Sequence, residues 1–139
     1  MTRVSEETAL RQAQAFFHEQ IPITRAMGVR VVANDENGFV IEAPVALNSN
    51  HLRTAFGGSI NAVATLAAYG FLWLELNEAA AHVVVAESSI RFLRPVRETI
   101  RARQMTVFGA VKEIRIGAHE RHSQSLLIRS LPRGVATIE

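Results

Sequence analysis

The chain has 139 residues, 48% hydrophobic and 20% charged, the balance of one ordinary globular domain spanning residues 1–139. It has no cysteine, which excludes disulfides, thiolate nucleophiles and cysteine-based metal sites. Net charge is only +2 although the sequence pI is about 9.9, because nearly all the positive charge is arginine, which stays protonated to very high pH.

The first residues, Met1-Thr2-Arg3-Val4-Ser5-Glu6-Glu7, contain no basic segment followed by an apolar core. No signal peptide is therefore expected, and a cytoplasmic location is. A first helix is expected from Ser5 as the cap, with Glu6 and Glu7 in the first turn where the helix dipole favours negative charge. Ala9, Leu10, Ala13, Phe16 and Phe17 recur at helical spacing through Glu19, and Pro22 ends the run. One more turn over residues 22–27 should close at Gly28.

Residues 29–33 and 39–45 are short β-rich runs. Asn34-Asp35-Glu36-Asn37-Gly38 between them supplies residues that tolerate left-handed turn geometry, so a β-hairpin is expected. Residues 47–54 read as a polar loop. From Gly57 to Ala81 almost no polar face remains, which marks a buried helix. Its length approaches that of a bilayer span, but Asn61, Glu75 and Gly70 interrupt it and no basic flank follows, so a core helix rather than a membrane segment is expected.

Residues 82–92 read as a strand, 95–98 as a turn and 99–108 as the partner strand. Ile100 and Ala102 alternate with Arg101 and Arg103, so one face should be buried and the other charged. Residues 112–118 and 125–131 look like a further hairpin. A long apolar helix with about six strands suggests an α+β wrap of sheet around helix.

Gly57 and Gly58 open that helix, where the first N–H groups have no intrahelical acceptor and the dipole adds partial positive charge. Without side chains there, a ligand carbonyl can approach closely, forming an oxyanion site suited to a thioester carbonyl becoming tetrahedral. The plainer reading is that the glycines only permit tight packing. Arg91, Arg94, Arg97, Arg101 and Arg103 crowd one stretch, which fits a solvated sheet edge, a phosphate-bearing small ligand or, least well, nucleic acid. No metal site is expected, because His119-Glu120-Arg121-His122 lacks the spacing that puts two histidines on one helix face.

Asn50-His51-Leu52-Arg53-Thr54-Ala55-Phe56-Gly57-Gly58-Ser59, the apolar helix, and Ser88-Ser89-Ile90-Arg91-Phe92-Leu93-Arg94-Pro95-Val96 resemble the YiiD C-terminal-type thioesterase family of the hotdog superfamily. The resemblance covers residues 17–103. It implies a hotdog fold, an antiparallel sheet wrapped around one long central helix. It also implies an acyl-CoA or acyl-carrier-protein thioesterase without cofactor, assembled as a homodimer or dimer of dimers with its sites between protomers; neither nucleic acid nor membrane is an expected partner.

By this resemblance Asn50 positions or polarises a water or the thioester, and the N–H of Gly57 or of Gly58 is the oxyanion donor. Phe56 stands where relatives often carry a histidine, and Thr65 where many carry an acid. Glu87 is then the remaining candidate base; otherwise it is a surface strand residue paired with an arginine. Thr54, Phe56, Ser59, Asn61, Thr65, Ser88 and Ser89 are candidate substrate contacts. Val63, Leu66 and Ala67 would accept an aliphatic chain. A non-catalytic acyl-thioester or lipid-binding module is the alternative, while Phe56 argues against a dehydratase. After Arg103 the chain departs from the family pattern, either as a diverged ending that still supplies two strands or as an altered reading frame.

Overall fold

The computed structural model describes residues 3–76, 89–105, 111–116 and 124–129. Helix α1 (Arg3–Gln20) and the short α2 (Ile23–Ala26) precede strands β1 (Arg30–Asp35) and β2 (Gly38–Pro44). The long helix α3 (Gly57–Leu76) follows, then β3 (Ser89–Ile90), β4 (Thr99–Met105), β5 (Val111–Ile116) and β6 (Gln124–Arg129). The expected end of the long helix, at residues 77–81, lies outside the described residues.

Helix α1 begins two residues before the expected cap, so Ser5 lies inside it. The Thr8 hydroxyl donates to the Val4 carbonyl (2.8 Å), and Glu7 pairs with Arg11 one turn on, both supporting that earlier start. Ala13 and Phe17 are buried, and the Phe16 ring stacks on Trp73 of α3 with centroids 4.7 Å apart. Gly28, at φ +67°, turns the chain after α2 as its position predicts.

Among the described residues the strands all pair antiparallel, in one six-stranded sheet of order β1-β2-β4-β5-β6-β3. The expected β1–β2 hairpin closes at the pair Asp35–Gly38, where the Asp35 carboxylate accepts the Asn37 N–H (2.8 Å). In β4, Ile100 and Ala102 are fully buried while Arg101 and Arg103 lie on the other face, as the alternation requires. β5 and β6 form the expected second hairpin.

Helix α3 packs on β2 and β4. By length and composition it could cross a membrane, but in this fold it is the core: Val63, Ala64 and Ala67 are fully buried against the sheet. At Gly70 a Cβ would come within 2.5 Å of the Phe39 ring and 2.6 Å of the Phe17 ring, so sheet and α1 both close on the helix there.

One pairing departs from expectation. The described parts of the two runs expected to pair, residues 89–92 and 99–105, do not form a hairpin. β3 pairs with β6 (Ser89 with Leu127, Ile90 with Leu126), and β4 lies between β2 and β5. Residues 91–98 instead cross from one edge of the sheet to its middle. Their backbone bonds to the segment ahead of α3, where Val96 accepts the Ala55 N–H (2.7 Å) and Glu98 accepts the Val45 N–H (3.0 Å). With those groups engaged, and Pro95 lacking an N–H, no ladder forms. Residues 82–88 and 106–108 of the expected strands lie outside the described residues.

Candidate functional site

The stretch between β2 and α3 is ordered by two asparagines. Asn48 is buried, and its amide donates to the carbonyls of Met27 and Pro44, each at 2.8 Å. It ties the ends of α2 and β2 together and was not singled out in the sequence. Asn50 closes the next turn on itself. Its Oδ1 accepts the N–H groups of Leu52 (2.9 Å) and Thr54 (3.2 Å), while its Nδ2 donates to the Thr54 hydroxyl (2.9 Å). Within that turn Arg53 takes φ +59°, a left-handed conformation unusual for a side chain of its size. Asn50 and the buried Thr54 are therefore brought together as a staple that fixes the approach to α3.

The chain then enters the helix. Phe56 N–H donates to the Asn48 carbonyl (2.7 Å), and the first intrahelical bond runs from Ile60 N–H to the Phe56 carbonyl (3.0 Å). Between them, the N–H groups of Gly57, Gly58 and Ser59 find no acceptor among the described residues. A Cβ on Gly58 would stand 2.5 Å from the Phe56 ring, and one on Gly57 would stand 3.2 Å from the tip of the Phe92 ring. Both rings are more than half exposed, at 56% and 55%. The result is a short row of backbone donors flanked by two solvent-facing phenyl rings. Phe92, 35 residues from Gly57 in the chain, gave no signal in the sequence beyond its place in the recurring motif.

Ser59 is half-buried in the first turn. One turn on, Asn61 and Thr65 are half-buried on one stripe, and the Thr65 hydroxyl donates to the Asn61 carbonyl (2.9 Å). The Asn61 side-chain Oδ1 is buried and has no hydrogen-bond partner among the described residues. An acceptor orphaned in this way costs about 1–3 kcal/mol. Glu87 and Ser88 lie outside the described residues, and Ser89 opens β3 opposite Leu127.

One expectation is corrected. Val63, Leu66 and Ala67 do not present an open face to an acyl chain, because they pack into the core with Ile100 and Ala102. The helix face that the sheet leaves less covered carries Asn61, Ala62, Thr65 and Tyr69. The arginine cluster also divides. Arg101 pairs with Glu42, which also meets Arg30 across β1 (3.3 Å), and Arg103 donates to the Asn37 carbonyl (3.2 Å). These two hold the outer face of the sheet, whereas Arg91, Arg94 and Arg97 are exposed on the crossing segment beside Phe92. Among the described residues no group of three or more His, Cys, Asp or Glu side chains could hold a metal ion.

The model of the family described as "Putative thioesterase (yiiD_Cterm)" matches residues 10–128. That is wider than residues 17–103 and takes in β5 and all but the last residue of β6. Among solved structures, the thioesterase described as putative from Shewanella oneidensis is 21% identical, with a TM-score of 0.80 over 87% of this chain and 94% of that one. A protein of unknown function from Chlorobaculum tepidum is 22% identical, with a TM-score of 0.74 over 90% and 97%. The E. coli PaaI protein, from the phenylacetic acid degradation operon, is 20% identical, with a TM-score of 0.59 over 89% and 95%. At such identities these likenesses establish the fold. With its antiparallel sheet packed around one long helix, the chain has the hotdog fold, and it belongs to the YiiD C-terminal thioesterase family.

Proposed function

We propose that the protein hydrolyses acyl thioesters, and that the N–H groups of Gly57 and Gly58 receive the developing oxyanion. The observation that carries this reading is the row of donors at the start of α3 without an acceptor among the described residues, at positions with no Cβ to block approach. Water adds to the thioester carbonyl carbon, and the C=O electron pair moves onto oxygen between the two donors. As that pair returns, the C–S bond breaks, and the thiolate leaves and takes up a proton. Products are a carboxylic acid and a thiol. Glu87 is the base we assign to the attacking water, returning its proton to the sulfur. Asn50 is a positioning residue that acts through the turn it holds. Arg91, Arg94 and Arg97 suit the phosphates of coenzyme A or of an acyl-carrier protein's pantetheine arm.

A homodimer fits the same reading. The β1 side of the sheet is covered by α1, where Gln14 accepts the Val31 N–H (3.0 Å) and the His18 ring donates to the Val29 carbonyl (2.8 Å). The register also shifts between Val31 and Ala33. A second copy would therefore add at the β3 edge, bringing its Glu87 towards this chain's helix start. Phe56 and Thr65, standing where relatives often carry a histidine and an acid, favour the second reading, a module that binds acyl thioesters without cleaving them.

Thiol release from a panel of acyl-CoAs and acyl-carrier-protein thioesters separates the two. Hydrolysis predicts turnover by wild type that falls roughly 100-fold or more in Glu87→Gln. Background rates in wild type, with a thioether analogue still bound, would assign the protein to binding alone.

A further inference from the structure

Resting on the thioester reading above, we propose that Asn61 determines specificity, and that the preferred acyl group carries a hydroxyl within about three carbons of its carbonyl. Helix α3 is apolar on nearly every side, yet Asn61 places an amide in it whose Oδ1 is buried without a partner among the described residues. Such groups are rare in folded proteins, because an unmet acceptor destabilises the fold, and a ligand that supplies the missing donor is one account of their persistence. Thr65 does not supply it, since its hydroxyl proton goes to the Asn61 backbone carbonyl.

The location fits a ligand. Asn61 lies on the face of α3 left less covered by the sheet, together with Ala62, Thr65 and Tyr69. It is one turn beyond Gly57, about 6 Å along the axis, and helical side chains lean back towards the N-terminus. Its amide therefore serves the first turn, where the thioester carbonyl would be held. An amide oxygen only accepts, so its complement is a donor, which a plain methylene chain lacks. Further along the stripe, Tyr69 and Trp73 stack with Phe16 and close it, which suits a short chain. Oδ1 is out of contact with bulk water, so the hydroxyl arrives with a ligand that enters past the exposed Phe56 and Phe92 rings, which flank Gly58 and Gly57 in the preceding turn.

The test pairs butyryl-CoA with 3-hydroxybutyryl-CoA, in wild type and in Asn61→Leu. Wild type should favour the hydroxylated substrate about tenfold in kcat/KM, the discrimination one neutral hydrogen bond provides. In Asn61→Leu that preference should vanish, 3-hydroxybutyryl-CoA losing about tenfold more than butyryl-CoA, and the melting temperature should rise as the orphaned acceptor is removed. Equal losses on both substrates would overturn the proposal and assign Asn61 to the attacking water. No preference in wild type would overturn it as well. Should wild type cleave neither thioester, the hydrolase reading fails separately, and calorimetry with the two thioether analogues decides: tighter binding of the hydroxylated one, lost in Asn61→Leu, upholds the specificity, and equal binding ends it.

Discussion

Gly38→Ala is expected to destabilise the protein by about 3–5 kcal/mol, a large part of the roughly 5–15 kcal/mol that holds a domain of this size together. Two causes act at once. Gly38 holds φ +116°, a region that residues with a Cβ rarely enter. The added Cβ would also stand 2.0 Å from the Gln104 carbonyl oxygen, a backbone atom of the neighbouring strand. A side chain can rotate away, but a strand can yield only by separating β2 from β4 at the centre of the sheet, where Gln104 pairs with Phe39. Urea denaturation followed by circular dichroism measures the change. A loss under about 1 kcal/mol would mean that the hairpin closes in another register.

Gly58→Val should act in the opposite way, removing activity while leaving the fold. The three atoms nearest a Cβ there all belong to the Phe56 ring, a flexible side chain more than half exposed, which can swing outward. The cost to stability should stay below about 1 kcal/mol, because glycine in a helix carries an entropic penalty that valine does not. The branched side chain, however, fills the approach to the N–H groups proposed to receive the oxyanion. Thiol release should fall about 10²- to 10³-fold, the usual effect of losing one such donor. Steady-state kinetics read beside thermal melts measure both, and undiminished turnover in a folded Gly58→Val would move the oxyanion site elsewhere.

What the sequence disclosed follows from how local each feature is. The hairpin was legible because Asn34 to Gly38 contains the turn chemistry, and β4 because Ile100 and Ala102 alternate with arginines. The core helix announced itself by lacking a polar face. The pairing of β3 was not legible, since its partner Leu127 lies far along the chain and nothing in residues 91–98 shows that their carbonyls bond to Val45 and Ala55. For the same reason Arg101 could not be assigned to Glu42 over a phosphate, the two lying 59 residues apart.

At the site, the glycine pair and Asn50 stood out as a string, but their roles depend on geometry. Nothing local separates Asn48, which ties two element ends together, from Asn50, which staples its own turn. The choice of Val63, Leu66 and Ala67 as the acyl-facing stripe failed because an all-apolar helix has no amphipathic face to show which side meets the sheet. Only the packing of α3 on β2 and β4 decides that question.

The central claim is that the start of α3 polarises a thioester carbonyl through backbone donors. The most direct measurement uses a coenzyme A analogue in which a methylene replaces the sulfur, giving an uncleavable ketone labelled with ¹³C at the carbonyl. Isotope-edited infrared spectra compare its carbonyl stretch free and bound. Hydrogen bonding by the Gly57 and Gly58 N–H groups predicts a lower frequency on wild type, lost in Gly58→Val. A bound ketone whose stretch stays at the solution value or rises would contradict it.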